Sequence, residues 1–160
     1  MEKYTVRSAA KSDIDVIVHQ RNEMFRAIHP ELAHTLEAYG RQFRRWAIAE
    51  LRKKKLVCFL VEDSDGNVVA GGSIWLKPTQ PSPRVPGSER PYLMSMYTEP
   101  SHRRKGLATI LVRHAIRWSK AHGYRRLELH ASDEGREVYA RLGFERTWEM
   151  RLDLTKLSKN

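Results

Sequence analysis

The residues of this chain best able to do chemistry together run from Tyr97 to Ala108: Tyr97-Thr98-Glu99-Pro100-Ser101-His102-Arg103-Arg104-Lys105-Gly106-Leu107-Ala108. An apolar run from Tyr92 to Tyr97 predicts a strand, Pro100 stops it, and a periodic apolar segment beginning at Leu107 predicts a helix. Between them lies a turn with three cations, Arg103, Arg104 and Lys105, followed by Gly106. The first turn of a helix presents N–H groups without intrahelical partners and carries a partial positive charge, which suits a phosphate. Gly106 lets the backbone approach such a ligand with no Cβ in the way. The expected ligand is therefore phosphorylated. The spacing is neither G-x-G-x-x-G nor G-x-x-x-x-G-K-S/T, which sets aside the dinucleotide and nucleoside-triphosphate loops.

What the spacing does spell is R-x-x-G-x-A, at Arg103, Gly106 and Ala108. This resembles the pyrophosphate-binding motif of the GNAT N-acetyltransferase superfamily, in which Arg or Gln is followed by x-x-G-x and then Gly or Ala. A second stretch resembles that family's other signature, N-x-x-A-x-x-L-Y-x-x-x-G-F. Here Ser132 stands in the Asn place, Gly135 in the Ala place and Val138 in the Leu place, while Tyr139, Gly143 and Phe144 are unchanged. The two motifs occur in the family's order and at its separation.

The resemblance implies a GNAT fold of the α/β (α+β) class. The sheet would be mixed and mostly antiparallel, with helices on both faces and a V-shaped gap between the splayed middle strands. It implies one N-acetyltransferase domain over 1–160 and acetyl-CoA as cofactor. It implies acetyl transfer to a primary amine of a small molecule or peptide, and no metal. By the same resemblance, Arg103, Arg104, Lys105, Gly106, Leu107 and Ala108 cradle the pyrophosphate. A backbone N–H near Met96 polarises the thioester carbonyl, and Thr98 pairs with the pantetheine amides. Ser132 departs from the family at the residue that hydrogen-bonds the pantetheine arm. Tyr139 takes the place of the general acid that protonates the departing thiolate. A phenol suits the task, since its ordinary pKa of about 10 lies above a thiol's of about 8.5. The base that relieves the amine of its proton is left open among Glu23, Glu149, Glu62 and a water chain.

These groups need elements to hold them. Tyr4 to Arg7 predicts a short first strand. Ser12 is a candidate N-cap for a helix running to about Ile28, with Asp13 and Asp15 in its first turn and His29-Pro30 ending it. A second helix is expected over roughly Leu32 to Lys53, with a break near Gly40. Val57 to Glu62 and Val68 to Leu76 read as strands of a hairpin around Asp65-Gly66-Asn67. Lys77 to Pro91, which holds five of the seven prolines, reads as a long loop. In enzymes of this layout such loops often border the acceptor pocket. A helix from Leu107 to His122 with Gly123 as its C-cap, a strand from Leu127 to Ser132, and a short helix from Glu134 to Leu142 follow. Phe144 to Leu154 completes the order as a final strand, with Trp148, Met150 and Leu152 on one side.

Composition sets the remaining bounds. The net charge is +10, and between Ser101 and Arg126 there are eight Lys or Arg and no acid. Such a surface suits a polyanion, and coenzyme A or nucleic acid would both serve. Arg113, Arg117 and Lys120 are accounted for as a solvated helix face. Two other readings stay open: a basic nucleic-acid-binding module, and a catalytically silent coenzyme A-binding sensor. Against the former, aromatic residues fall on apolar faces rather than among the cations, and no recognition motif appears. No apolar run approaches the ~20 residues that cross a bilayer, and the N-terminus reads directly as strand, with no visible signal peptide. The lone Cys58, in an apolar run, fits a reducing compartment and a role as core filler. The expected setting is cytoplasmic. The expected partner is an amine acceptor, with no specific nucleic acid and no membrane, and a homodimer is allowed.

Overall fold

A computed structural model of the protein describes residues 3–156. Strand β1 (Thr5–Ser8) leads through a short 3-10 turn into helix α1 (Ile14–Ile28). A second 3-10 turn then leads into helix α2 (Leu36–Arg52). Three antiparallel strands follow, β2 (Leu56–Glu62), β3 (Val68–Pro78) and β4 (Glu89–Thr98). Helix α3 (Leu107–Ala121), the two-residue strand β5 (Glu128–Leu129) and helix α4 (Arg136–Arg141) complete the fold. The strands lie in the order β1-β2-β3-β4-β5, and only the β4–β5 pair is parallel.

Alternation along the strands divides the interior in two, because successive side chains point to opposite faces. Leu56 and Cys58 of β2 join Ile17 of α1 and Phe43 and Ala47 of α2 on one face. Phe59 and Val61 join Leu107, Leu111, Val112 and Ala115 of α3 on the other. The four α3 residues recur at helical spacing and all are buried. Each leucine among them contributes about 2 kcal/mol by leaving water. On the first face Trp75 Nε1 donates to Glu50 Oε2 at 3.1 Å, and the Trp46 and Trp75 rings meet edge to face at 5.5 Å, tying α2 to β3.

Several sequence expectations are corrected here. Ser12 does not cap α1: the N-cap position falls on Asp13, which makes no side-chain capping bond to the helix and instead accepts the Ala10 N–H of the preceding 3-10 turn at 2.6 Å and a bidentate pair from Arg7 at 2.7 and 3.0 Å. Helix α2 begins later, after Thr35, and runs unbroken through Gly40, which packs against the Asn22 side chain. The proline-rich loop is shorter than expected. Lys77 pairs with Arg90, Pro78 with Glu89 and Leu76 with the buried Pro91, so the hairpin extends into it. The loop also lies at the opposite end of β4 from the basic turn. The last correction is the largest. Phe144 to Leu154 forms no ladder among the described residues, and Trp148 and Met150 are almost wholly exposed. β5 offers only two paired residues, too short an edge to template a neighbour.

Candidate active site

The site is built around what β4 does near its end. Its pairing with β5 covers only Tyr92 with Glu128 and Leu93 with Leu129, yet β4 continues to Thr98. Beyond Leu93 the two strands part, leaving backbone N–H and C=O groups of β4 without a ladder partner on that side. Such groups need a partner when shielded from water. Within the same stretch the register with β3 shifts between Gly71 and Ser73, and Ser95 adopts φ +55°, marking a bulge. Gly72, across from the bulge, makes room for Met96, since a Cβ there would lie 2.5 Å from the Met96 sulfur.

The basic turn sits where β4 ends. A 3-10 turn at Pro100–His102 leads into it, and Gly106 is the N-cap of α3 with φ +83°. That left-handed conformation is the reason for glycine here, and the space where a Cβ would point is open. No acid lies in the first turn of α3. Arg103 donates from Nε to the Thr98 carbonyl at 3.1 Å, so one of the three cations ties the turn back to β4. Arg104, Lys105 and Gly106 are exposed, while Leu107 is buried and anchors the helix start. Free N–H groups, an open glycine, exposed cations and an unpaired strand edge fit a pyrophosphate joined to an amide-bearing arm.

Tyr139 lies on α4, which packs on α3. Its ring meets Phe144 edge to face at 5.7 Å and borders the same cluster as Met96 and Leu129. Burial raises its pKa above the ordinary phenol value, keeping the proton on. Gly135, where the family signature has Ala, gives the ring its space: a Cβ there would stand 2.9 Å from Tyr139 Cε2. Ser132 Oγ accepts the Gly135 N–H at 3.3 Å, and its carbonyl accepts from Gly135 and Arg136 at 3.1 and 3.2 Å, so Ser132 holds the start of α4.

The three candidate bases separate. Glu62 lies on β2, two strands from β4, with Arg7 Nε 2.5 Å from its carboxylate. Glu23 on α1 pairs with Arg26 at 3.1 Å and lies close enough to Tyr97 for its charge to help raise that phenol's pKa. Glu149 stands near Tyr92 in the exposed C-terminal segment. Sequence reasoning missed the network beside Glu23. Tyr97 OH donates to Glu99 Oε2 at 3.1 Å, and His19 Nε2 of α1 stands 4.0 Å from Glu99 Oε1. Burial first, and then Glu99, raise the Tyr97 pKa. Nothing in the spacing announces this network, because α1 and β4 are some eighty residues apart in the chain. Cys58 is not part of the site. It is buried, accepts the Ser73 hydroxyl at 3.2 Å, and burial pushes its pKa up to about 11, which makes it a poor nucleophile.

Known proteins are similar to this chain in sequence and in fold. The model of the acetyltransferase (GNAT) family matches residues 16–144. An uncharacterised N-acetyltransferase of Methanocaldococcus jannaschii is 24% identical over 148 residues, 91% of this chain; the chain spans 62% of that relative's length. A GCN5-related N-acetyltransferase from Ralstonia eutropha JMP134 is similar in structure, with a TM-score of 0.87, 28% identity, and 96% of this chain and 99% of that one covered. A predicted acetyltransferase from Clostridium acetobutylicum, solved with acetyl-CoA, gives 0.82 at 25% identity, covering 98% and 100%.

Proposed function

The chain belongs to the acetyltransferase (GNAT) family, and from that premise we propose that it transfers the acetyl group of acetyl-CoA to a primary amine of a small molecule or peptide, as one domain over 1–160. The observation that carries this reading is the parting of β4 from β5 directly beside the basic turn. It leaves a strand edge able to pair with the amides of a pantetheine arm whose pyrophosphate rests on the N-terminus of α3. The relative from Clostridium acetobutylicum, solved with acetyl-CoA, supports the choice of ligand.

In this reading acetyl-CoA supplies the activated acyl group, and the chain supplies place and proton. Backbone N–H groups from Arg104 to Ala108, helped by the exposed Arg104 and Lys105, hold the pyrophosphate. The bulge at Ser95 turns the Met96 N–H out of the β3 ladder, so that it can donate to the thioester carbonyl as oxyanion-hole donors do. Thr98 holds the arm through its backbone. Tyr139, kept protonated by burial, donates to the departing sulfur. Glu23, the carboxylate nearest Tyr97 on the α1 side, accepts the amine's proton directly or through water. Ser132 acts one step removed, by positioning α4 and with it Tyr139.

The test is release of free thiol from acetyl-CoA with a panel of amines: a polyamine, amino acids, an antibiotic amine and a peptide with a free N-terminus. Acceptor-dependent release is expected with at least one. Binding of coenzyme A with no release from any amine would leave a sensor, and failure to bind coenzyme A would overturn the site itself.

A further inference from the structure

The proline-rich loop plays no part in the proposed cofactor site. At the opposite end of β4 it walls a cavity of about 260 Å³. Val85 and Pro86 come from the loop, Pro91 from β4 and Tyr124 from the turn after α3. Val85 and Pro91 are buried, and the Tyr124 ring stacks on Trp118 at 6.1 Å, so this wall is apolar and fixed. The loop is pinned as well: Thr79 N–H donates to the Ser88 carbonyl at 2.8 Å and Val85 N–H to the Ser82 carbonyl at 3.1 Å. Three arginines line the same cavity, Arg90, Arg125 and Arg126. Arg125 and Arg126 are exposed and make no ion pair among the described residues. Arg90 donates from Nη1 to Glu128 at 3.1 Å, but its Nε is buried with no hydrogen-bond partner among the described residues. A buried charged donor left unpaired is costly. Glu89, the carboxylate on the wall, is already held by Lys55. The C-terminal carbonyls of α3 would repel an anion, but two of them are closed off. Gly123 N–H donates to the Lys120 carbonyl at 3.1 Å and Tyr124 N–H to the Ser119 carbonyl at 3.0 Å.

We propose that this cavity binds a small phosphate monoester with an apolar body. Such a phosphate carries roughly −1.5 to −2 charge at neutral pH and three acceptor oxygens. Guanidinium forks match phosphate oxygens in pairs, and three guanidinium groups line this one cavity, one of them with a buried donor to satisfy. The apolar body rests against Val85, Pro86 and the Tyr124 ring, as small-molecule sites combine an apolar wall with a few polar anchors. A nucleic-acid backbone would gain nothing from that wall. The site is separate from the basic turn, because Arg90 and Thr98 stand at opposite ends of β4, roughly 25 Å apart along a strand. It does not depend on acetyl transfer.

Calorimetric titration of the full chain with phenyl phosphate tests it. Saturable one-to-one binding is expected. Arg125→Glu combined with Arg126→Glu should lower the affinity by at least about tenfold, and Arg90→Gln should do the same. Should Arg90→Gln fail to fold, the exposed Arg125 and Arg126 pair decides. Arg113→Glu combined with Arg117→Glu, on the exposed side of α3, makes an equal change in net charge and should move the affinity by less than about twofold, since salt screens distant charges. Gly106→Asp, which disturbs the basic turn, should leave phenyl phosphate binding intact, so that the fate of this site and that of the coenzyme A site are read apart. Benzoate, with the same ring and a single charge, should bind at least about tenfold more weakly. The absence of saturable binding overturns the proposal. So does equal loss in the two double variants, which would mark attraction by net charge alone, and so does benzoate binding as tightly. Loss in Gly106→Asp overturns it too, placing the phosphate at the basic turn.

Discussion

At the scale of single residues, the proposed reaction gives two groups opposite proton duties. If Tyr139 protonates the leaving sulfur, Tyr139→Phe removes one oxygen and keeps the ring against Phe144. Cofactor affinity and stability should hold while kcat falls by roughly 10²-fold, the low end for general acid–base catalysis. A loss in kcat without a loss in binding marks an interaction used mainly in the transition state. The alkaline limb of the wild-type rate profile should also disappear, because that limb reports deprotonation of the phenol. Glu23→Gln should instead lower kcat while cofactor affinity holds. Single-turnover rates with the best amine are the measurement, and wild-type turnover by Tyr139→Phe would remove this residue from the mechanism. The position of Tyr139 on a short helix was legible in the sequence because the motif surrounds it with fixed partners, Gly135 four residues before and Phe144 five after. The Tyr97–Glu99–His19 network was not, because no local pattern records which side chain of α1 will face the end of β4.

At the scale of elements, the proposed cofactor site is the junction of β4, turn and α3, and Gly106 is the residue through which to test it. Gly106→Asp puts a carboxylate where the pyrophosphate would lie and forces a side chain onto φ +83°. Gly106→Asn carries the same strain without the charge, and Asn tolerates the left-handed region. Calorimetric titration should show coenzyme A affinity reduced by at least about tenfold, or about 1.4 kcal/mol, in the Asp variant relative to the Asn variant. Equal affinities would show that charge at this turn does not matter. The helices and the hairpin were readable from periodicity, Gly123 and the Asp63–Asn67 turn. What the sequence misplaced depends on edges. Ser12 and Asp13 fall in a 3-10 turn before the helix, and the Asp13 carboxylate is held by Arg7 of β1 rather than by the first turn of α1. The strand expected from Phe144 to Leu154 has the right alternation but finds no edge long enough to join. The bulge at Ser95 leaves no signature, since serine is no marker of a positive φ. What marks the place in the structure is Met96 lying over Gly72, where a Cβ would stand 2.5 Å from its sulfur.

At the scale of the whole molecule, the excess of positive charge is not one patch with one purpose. Arg113 and Arg117 lie on the solvent side of α3, and Arg7 is bound into a network with Asp13 and Glu62 that raises its own pKa. Global stability answers to pH through a different group. The Cys58 thiol is raised to about 11 by burial, whereas an unfolded thiol titrates near 8.5. Between those values the folded chain keeps a proton that the unfolded chain has lost, so stability is full below about pH 8.5 and declines as pH rises through the folded value, by up to about 3 kcal/mol. Chemical denaturation at several alkaline pH values should show this decline, and Cys58→Ala should flatten it whatever cavity it leaves. An equally steep slope in that variant would shift the cause to the buried phenols. The two interiors described above, one under α1 and α2 and one under α3, lie on opposite faces of the sheet. That partition bears on how such a protein can change over time. Substitutions under α1 and α2 can reshape what that side of the sheet accepts, and they combine additively with the interior that seats α3 and its turn. In the proposed reading, one half of the molecule is thus free to drift toward new acceptors while the other keeps its inheritance.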